Sequence, residues 1–287
     1  MILYADKYVN DKIAILKQQV SEMERPPKLV IIRVDGDPAS ERYVKNKEKR
    51  CSGVGIISKT ILLSNDVSRE DVVATIEFLN SDPNVDAILL QLPLPDHLDE
   101  HFLTNQICPY KDVDGFTIWN TGLLSLGEPG NVACTPRGII DFLKYNNIEL
   151  EGKDVCIVNR SNILGKPLAN LLLLEGATPT ICHSKTRDLK FKMLEADIVV
   201  LGTGQPDFVD IDSFTAGQVV VDVSINFNSE GKMCGDIKKS DYQALADQCV
   251  SFTPVPGGVG QLTVLALIEQ TIEIAKKRIG GAYESKW

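Results

Sequence analysis

The sequence predicts an α/β protein of two lobes: an N-terminal α/β lobe, a Rossmann-type nucleotide-binding lobe, and a last helix returning to the first lobe. Three features predict it. Short apolar, β-branched runs alternate with longer amphipathic stretches, as parallel sheets with covering helices require. A turn-rich segment, 109–133, interrupts that alternation once. A second strand–turn–helix series then opens at Asp154, with Gly165 in its first turn.

The elements follow in order. Residues 2–22 read as an amphipathic helix, and Lys28–Val34 as a buried strand because it is apolar and β-branched. Asp37-Pro38 sets an N-cap before proline at the first helical position, opening a helix to about Gly53. Residues 56–63 form a second strand, 68–81 a helix, and 86–91 a third strand leading into Gln91-Leu-Pro-Leu-Pro95. Residues 98–107 make a short helix. Pro109, Asp112, Asp114-Gly115, Asn120, Gly122, Gly127 and Pro129-Gly130 mark 109–133 as the crossing between lobes. Thr135-Pro136 caps a helix to about Tyr145. In the second lobe, strands at 154–158, 178–182, 197–201 and 218–223 accompany helices at 165–174 and 188–195. A loop, Pro254-Val-Pro-Gly-Gly-Val-Gly260, precedes an apolar helix at 262–279. The expected domains are 1–133 with the returning helix 262–287, and 134–261.

The 287 residues, 44% apolar and 24% charged, have the composition of a globular chain. A net charge of −9 argues against non-specific nucleic-acid binding, which needs a basic surface. No apolar run approaches a membrane span, and the first residues lack a basic, apolar leader, so no membrane partner is expected and the location is read as cytoplasmic. The seven cysteines contain no Cys-x-x-Cys and read as reduced structural thiols. His97 and His101 are four apart, but nothing completes a metal set around them, so no metal is expected.

Two loops carry chemistry. In 254–260, rigid prolines beside bare glycines bring backbone N–H groups close to a ligand at a helix start; a tight turn before a core helix is the plainer alternative. The turn after the 154–158 strand reads Asn159-Arg-Ser-Asn-Ile-Leu-Gly-Lys-Pro167. It is not Gly-x-Gly-x-x-Gly. Asn159 holds the place of the usual first glycine, Ser161 can donate to a phosphate, Gly165 permits close packing, and Lys166-Pro167 opens the helix. At the end of the next strand, His183-Ser-Lys-Thr186 offers no carboxylate for ribose hydroxyls. Ser184, Lys185 and Arg160 instead suit a ribose phosphate, which favours NADP over NAD. In the first lobe, Tyr43 and Lys47 are four apart and share a helix face, a spacing that a solvated surface also produces.

Taken in order, Ser40-x-x-Tyr43-Val-x-x-Lys47, Gln91-Leu-Pro-Leu-Pro95, Lys111-Asp-Val-Asp-Gly115, Cys134-Thr-Pro136, Arg160-Ser161-x-x-x-Gly165-x-Pro167, Cys182-His-Ser184 and the 254–260 loop span nearly the whole chain. Together they resemble the bifunctional methylenetetrahydrofolate dehydrogenase/methenyltetrahydrofolate cyclohydrolase family. The resemblance implies a folate cleft between two lobes, a homodimer formed through the nucleotide lobes, and two reactions. Methylenetetrahydrofolate gives hydride to NADP, and the methenyl cation is then hydrolysed to 10-formyltetrahydrofolate.

It also implies residue roles. Lys47 is the chief catalyst of hydrolysis; an ammonium facing a cationic intermediate is disfavoured, which suits it to proton handling near neutrality. Gln91 orients Lys47 and the water without adding charge, Tyr43 stacks on the folate, and Asp114 accepts hydrogen bonds from the pterin. Leu90, Leu92, Pro256, Gly257, Gly258, Val259, Gly260 and Thr263 complete the substrate contacts. Asn159, Arg160, Ser161, Gly165, Lys166, Pro167, Ser184 and Ile225 form the cofactor set. Four positions depart from the pattern the resemblance implies: Asn159 and Ser224 stand where glycine is usual, and Gln261-Leu262 replaces Pro-Met. They leave as alternatives a single-activity cyclohydrolase with a weakened dehydrogenase, or a non-enzymatic NADP-binding protein.

Overall fold

A computed structural model describes residues 1–228 and 230–280. The chain divides into two compact units, Asp11–Cys134 with the chain from Val264 onward, and Met1–Asn10 with Thr135–Thr263.

The first unit is built on a three-stranded parallel sheet in the order β2-β1-β3, with β1 at Lys28–Val34, β2 at Ile57–Leu63 and β3 at Ala87–Leu90. Val30, Ile32 and Val34 of β1 pack with Val72, Ile76 and Leu79 of a helix, because alternate residues on a strand share one face. The helices are α1 (Asp6–Ser21), which begins in the other unit, then α2 (Pro38–Val54), α3 (Arg69–Ser81), α4 (Glu100–Thr104) and α5 (Ile118–Leu126). Ser68 caps α3 by accepting from Asp71 N at 3.1 Å. At the other end of α3, the buried Lys111 ammonium donates to the carbonyls of Leu79 and Asn80 at 2.8 Å and of Asp82 at 2.7 Å. That is the favourable end of the helix dipole for a cation.

The second unit carries five parallel strands in the order β10-β7-β6-β4-β5. They are β4 (Asp154–Val158), β5 (Thr178–Cys182), β6 (Ile198–Leu201), β7 (Val219–Asp222) and β10 (Ser251–Phe252), with a small antiparallel pair, β8 (Asn226–Phe227) and β9 (Met233–Cys234). The helices are α6 (Cys134–Tyr145), α7 (Gly165–Leu174), α8 (Leu189–Glu195) and α9 (Tyr242–Asp247). The chain leaves β4 toward β5 on one side, while β6 lies on the other. The crevice beyond the carboxyl ends of β4 and β6 is therefore a topological switch point, where open α/β sheets bind ligands. The long α10 (Val259–Ile279) spans the boundary between the two units.

The two-lobed α/β reading holds, with local differences. The first helix starts at Asp6 rather than residue 2, because Ile2 bridges Phe252 and Leu3 N donates to the Phe252 carbonyl at 2.7 Å. That pairing places residues 1–10 with the five-stranded unit, not with the 1–133 segment to which the sequence reading assigned them. The 109–133 segment contains α5, capped by Thr117 and ended by Gly127 in the left-handed region, where turn formers alone were read. The helix expected at 98–107 spans only Glu100–Thr104. The last helix begins at Val259, three residues early; residues 281–287 of its expected extent lie outside the described residues.

Candidate active site

In the three-stranded unit, α2 presents Tyr43 and Lys47 one turn apart, and Gln91 follows the carboxyl end of β3. Lys47 is only 5% exposed. Its Nζ donates to Gln91 Oε1 at 3.0 Å and lies 5.2 Å from the centre of the Tyr43 ring, within cation–π range. Gln91 Nε2 donates to the Leu92 carbonyl, which fixes the amide so that its oxygen faces the lysine. A neutral acceptor holds the ammonium without neutralising it.

Asp114 completes this cluster. Burial pushes its carboxyl above the ordinary range, the Lys47 charge offsets part of that rise, and Asp112 adds to it. The loop carrying it is fixed on all sides. Asp112 Oδ2 accepts from Thr117 N at 2.9 Å and Asn120 Nδ2 at 3.0 Å, and Asn131 Nδ2 donates to the Asp112 carbonyl at 2.9 Å. From α10, Gln270 Nε2 donates to the Val113 and Val132 carbonyls, while its Oε1 accepts from Val132 N at 3.1 Å. Gly115 has φ +65°, and a Cβ there would lie 2.7 Å from the Asn131 carbonyl oxygen, so this turn requires glycine.

In the five-stranded unit, Asn159 organises the turn after β4. Its Oδ1 accepts from Ser161 N and Ser161 Oγ at 2.8 Å and from Gly165 N at 3.0 Å. Gly165 is obligatory, since a Cβ would sit 2.1 Å from the Asn159 carbonyl oxygen. Arg160 and Lys166 are exposed, and Pro167 is buried in the first turn of α7. Beyond β5, His183 N donates to Thr186 Oγ1 at 2.8 Å, forming a turn that leaves Ser184 and Lys185 exposed. Ile225 follows β7 and is exposed, with its Cδ1 3.7 Å from the position of a Cβ on Gly260. Among the described residues, no three His, Cys, Asp or Glu side chains gather as a metal set.

Two family models cover this chain. Tetrahydrofolate dehydrogenase/cyclohydrolase, catalytic domain, matches residues 4–114, and Tetrahydrofolate dehydrogenase/cyclohydrolase, NAD(P)-binding domain, matches residues 133–279. The chain belongs to the tetrahydrofolate dehydrogenase/cyclohydrolase family. It is 43% identical over 265 residues to the bifunctional protein FolD of Agathobacter rectalis, covering 91% of this chain and 94% of that one. The bifunctional FolD methylenetetrahydrofolate dehydrogenase/cyclohydrolase of Campylobacter jejuni has a crystal structure that superposes with TM-score 0.93 at 38% identity, over 97% of this chain and 99% of that one. The Trypanosoma brucei methylenetetrahydrofolate dehydrogenase-cyclohydrolase, solved with NADP cofactor and inhibitor, gives TM-score 0.90 at 29% identity, over 97% and 98% of the two chains.

Against that family's pattern, the structure brings Tyr43, Lys47, Gln91 and Asp114 together in one unit, and the turns carrying Asn159, Arg160, Ser161 and Ile225 into the other. Leu90 is buried in the sheet core, with Leu92 packed against the same cluster. Val259 is buried in the first turn of α10, and Thr263 Oγ1 is 2.8 Å from Thr135 Oγ1. Sequence reasoning missed the supports of Asp114. Of Asn120, Asn131 and Gln270, the last stands in a polar run, Glu269-Gln270-Thr271, within a largely apolar helix, and that run is the one signal the sequence carried.

Proposed function

We propose that this chain catalyses two successive reactions at the one-carbon unit of tetrahydrofolate: oxidation of the 5,10-methylene bridge to methenyl with NADP, and hydrolysis to 10-formyltetrahydrofolate. The observation that carries this reading is the buried Lys47 ammonium 3.0 Å from Gln91 Oε1. A lysine held by a neutral amide beside an aromatic ring is positioned to pass protons rather than to pair with a carboxylate.

NADP, when bound, supplies the hydride acceptor. The residues present suit it: Arg160, Ser184 and Lys185 are exposed donors at the ends of β4 and β5, with no carboxylate at the end of β5 to repel a ribose phosphate. Asp114 would accept from the pterin amino and ring N–H groups, and Tyr43 would stack on the ring. Leu90, Leu92, Pro256, Gly257, Gly258, Val259, Gly260 and Thr263 remain proposed substrate contacts, the buried ones through their backbone. In hydrolysis, water bonds to the methenyl carbon, the bond from that carbon to N5 breaks, N5 gains one proton and solvent another. Lys47 would carry the proton between water and N5, with Gln91 fixing the amine.

The functional division proposed is 1–133 with the last helix for folate, and 134–261 for nucleotide, with residues 1–10 packed on the nucleotide unit. We also propose a homodimer formed through the nucleotide unit. β5 is the edge strand of its sheet, and Ile181 on it, with Leu173 and Leu174 at the end of α7, leaves apolar surface exposed. Among the described residues no helix is long and apolar enough to cross a membrane, and the location we propose is cytoplasmic. A coupled assay tests the reading: with methylenetetrahydrofolate, NADP+ should outpace NAD+ at equal subsaturating concentrations, and the methenyl absorbance should rise and then decay. Faster turnover with NAD+, or no turnover, would contradict it.

A further inference from the structure

Asn159 and Ser224, far apart in sequence, hold the same loop. The loop, residues 202–205, leaves β6 beside β4, at the switch point of the five-stranded sheet. Asn159 Nδ2, from the end of β4, donates to the Gly202 carbonyl at 2.7 Å. Ser224 Oγ, beyond the end of β7, accepts from Gly204 N at 3.0 Å. Between and after these, Thr203 N and Gln205 N donate to Asp236 at 2.7 and 3.2 Å. Four consecutive residues are thus tied through their backbones to side chains from three other segments. A glycine at 159 or 224 could supply neither of the first two bonds.

The Asn159 amide is spent inside the protein. Its oxygen takes three donors from the turn it begins, and its nitrogen reaches across to the next loop. Ser224 is buried, so its hydroxyl is held in place, and its own N–H donates to Asp222 Oδ1 at 3.2 Å. We propose that Asn159 and Ser224 are paired positioning residues, which fix the 202–205 loop beside the nucleotide crevice and so set NADP affinity through that loop. A loop already ordered before binding spares the ligand the cost of ordering it. Because both residues brace one short loop, their effects are coupled.

The inference rests on the reading of that crevice as the nucleotide site, and the test separates the two. Calorimetric titration of the whole protein with NADP+ is run on the unaltered chain, Asn159→Gly, Ser224→Gly, Ser224→Ala and the Asn159→Gly/Ser224→Gly pair, with circular dichroism reporting folding. Each single substitution should weaken NADP+ binding three- to tenfold, while in Ser224→Gly and Ser224→Ala hydride transfer at saturating NADP+ stays within twofold. Ser224→Ala, which removes one hydroxyl, should match Ser224→Gly, and the pair should fall short of the product of the single effects by at least threefold. Wild-type affinity in Ser224→Ala, or a pair equal to that product, would overturn the pairing. Absence of NADP+ binding by the unaltered chain would instead contradict the nucleotide site itself.

Discussion

Lys47 lies where water barely reaches, and Gln91 provides the acceptor for its amine. A buried ammonium without an acceptor would cost more than the hydrogen bond is worth, because the desolvation penalty falls on the remaining group. Gln91→Leu is therefore expected to slow ring opening about 100-fold, the lower range for a displaced general acid–base group, and to lower the Tm. A ring-opening assay with melting curves checks this, and an unchanged rate would separate Gln91 from the mechanism. Gly165 permits a second prediction. Alanine there would place Cβ on the Asn159 carbonyl, so Gly165→Ala should lose about 1–3 kcal/mol of stability and weaken NADP+ binding. Chemical denaturation and titration measure both. The Tyr43–Lys47 spacing was legible in the sequence because a helix converts four residues into one turn. The hydrogen bonds around Asp112 were not, because their partners at Asn120 and Asn131 lie beyond an intervening turn.

At the scale of elements, the Asp112–Gly115 segment is fixed by helices rather than by its own turn. Lys111 anchors it at the end of α3, and Gln270 of α10 holds Val113 and Val132 through three hydrogen bonds. Gln270→Leu should cost about 2–4 kcal/mol, from buried carbonyl and N–H groups left unpaired, and raise the KM for folate more than it lowers kcat. Steady-state kinetics and urea unfolding give both quantities, and equal loss of kcat with unchanged KM would mean that Asp114 does not depend on this brace. The end of β7 gives a pH prediction. Burial, with Asp236 adding to it, raises the Asp222 carboxyl from 3.8 to about 7, so the folded chain keeps a proton that the unfolded chain has lost. The stability from this proton is complete below about pH 4 and is lost as pH rises to about 7. The Tm difference between wild type and Asp222→Asn, which cannot ionise, should therefore move in favour of the variant from pH 4.5 to 7.5; a constant difference would contradict it. Among elements, the long strands and α7 were legible from apolar runs. α5 was not, because Gly122 and the flanking Asp, Pro and Gly residues outweighed its short apolar stretch.

For the whole molecule, the alternation of strands and helices was enough to read two parallel-sheet units, since that pattern depends only on local periodicity. The placement of residues 1–10 was not, because it depends on a single strand bridge to Phe252, more than two hundred residues away. The same holds for α10, whose apolar sequence marks it as buried without saying against what. In the proposed division of labour, Lys47 performs ring opening while the other unit's loops serve nucleotide-dependent oxidation. The direct test follows methenyltetrahydrofolate absorbance after methylenetetrahydrofolate and NADP+ are mixed with wild type and with Lys47→Met. The wild type should show a transient rise, and Lys47→Met should accumulate the methenyl compound with its enzymatic decay lost; decay at the wild-type rate in that variant would contradict the account.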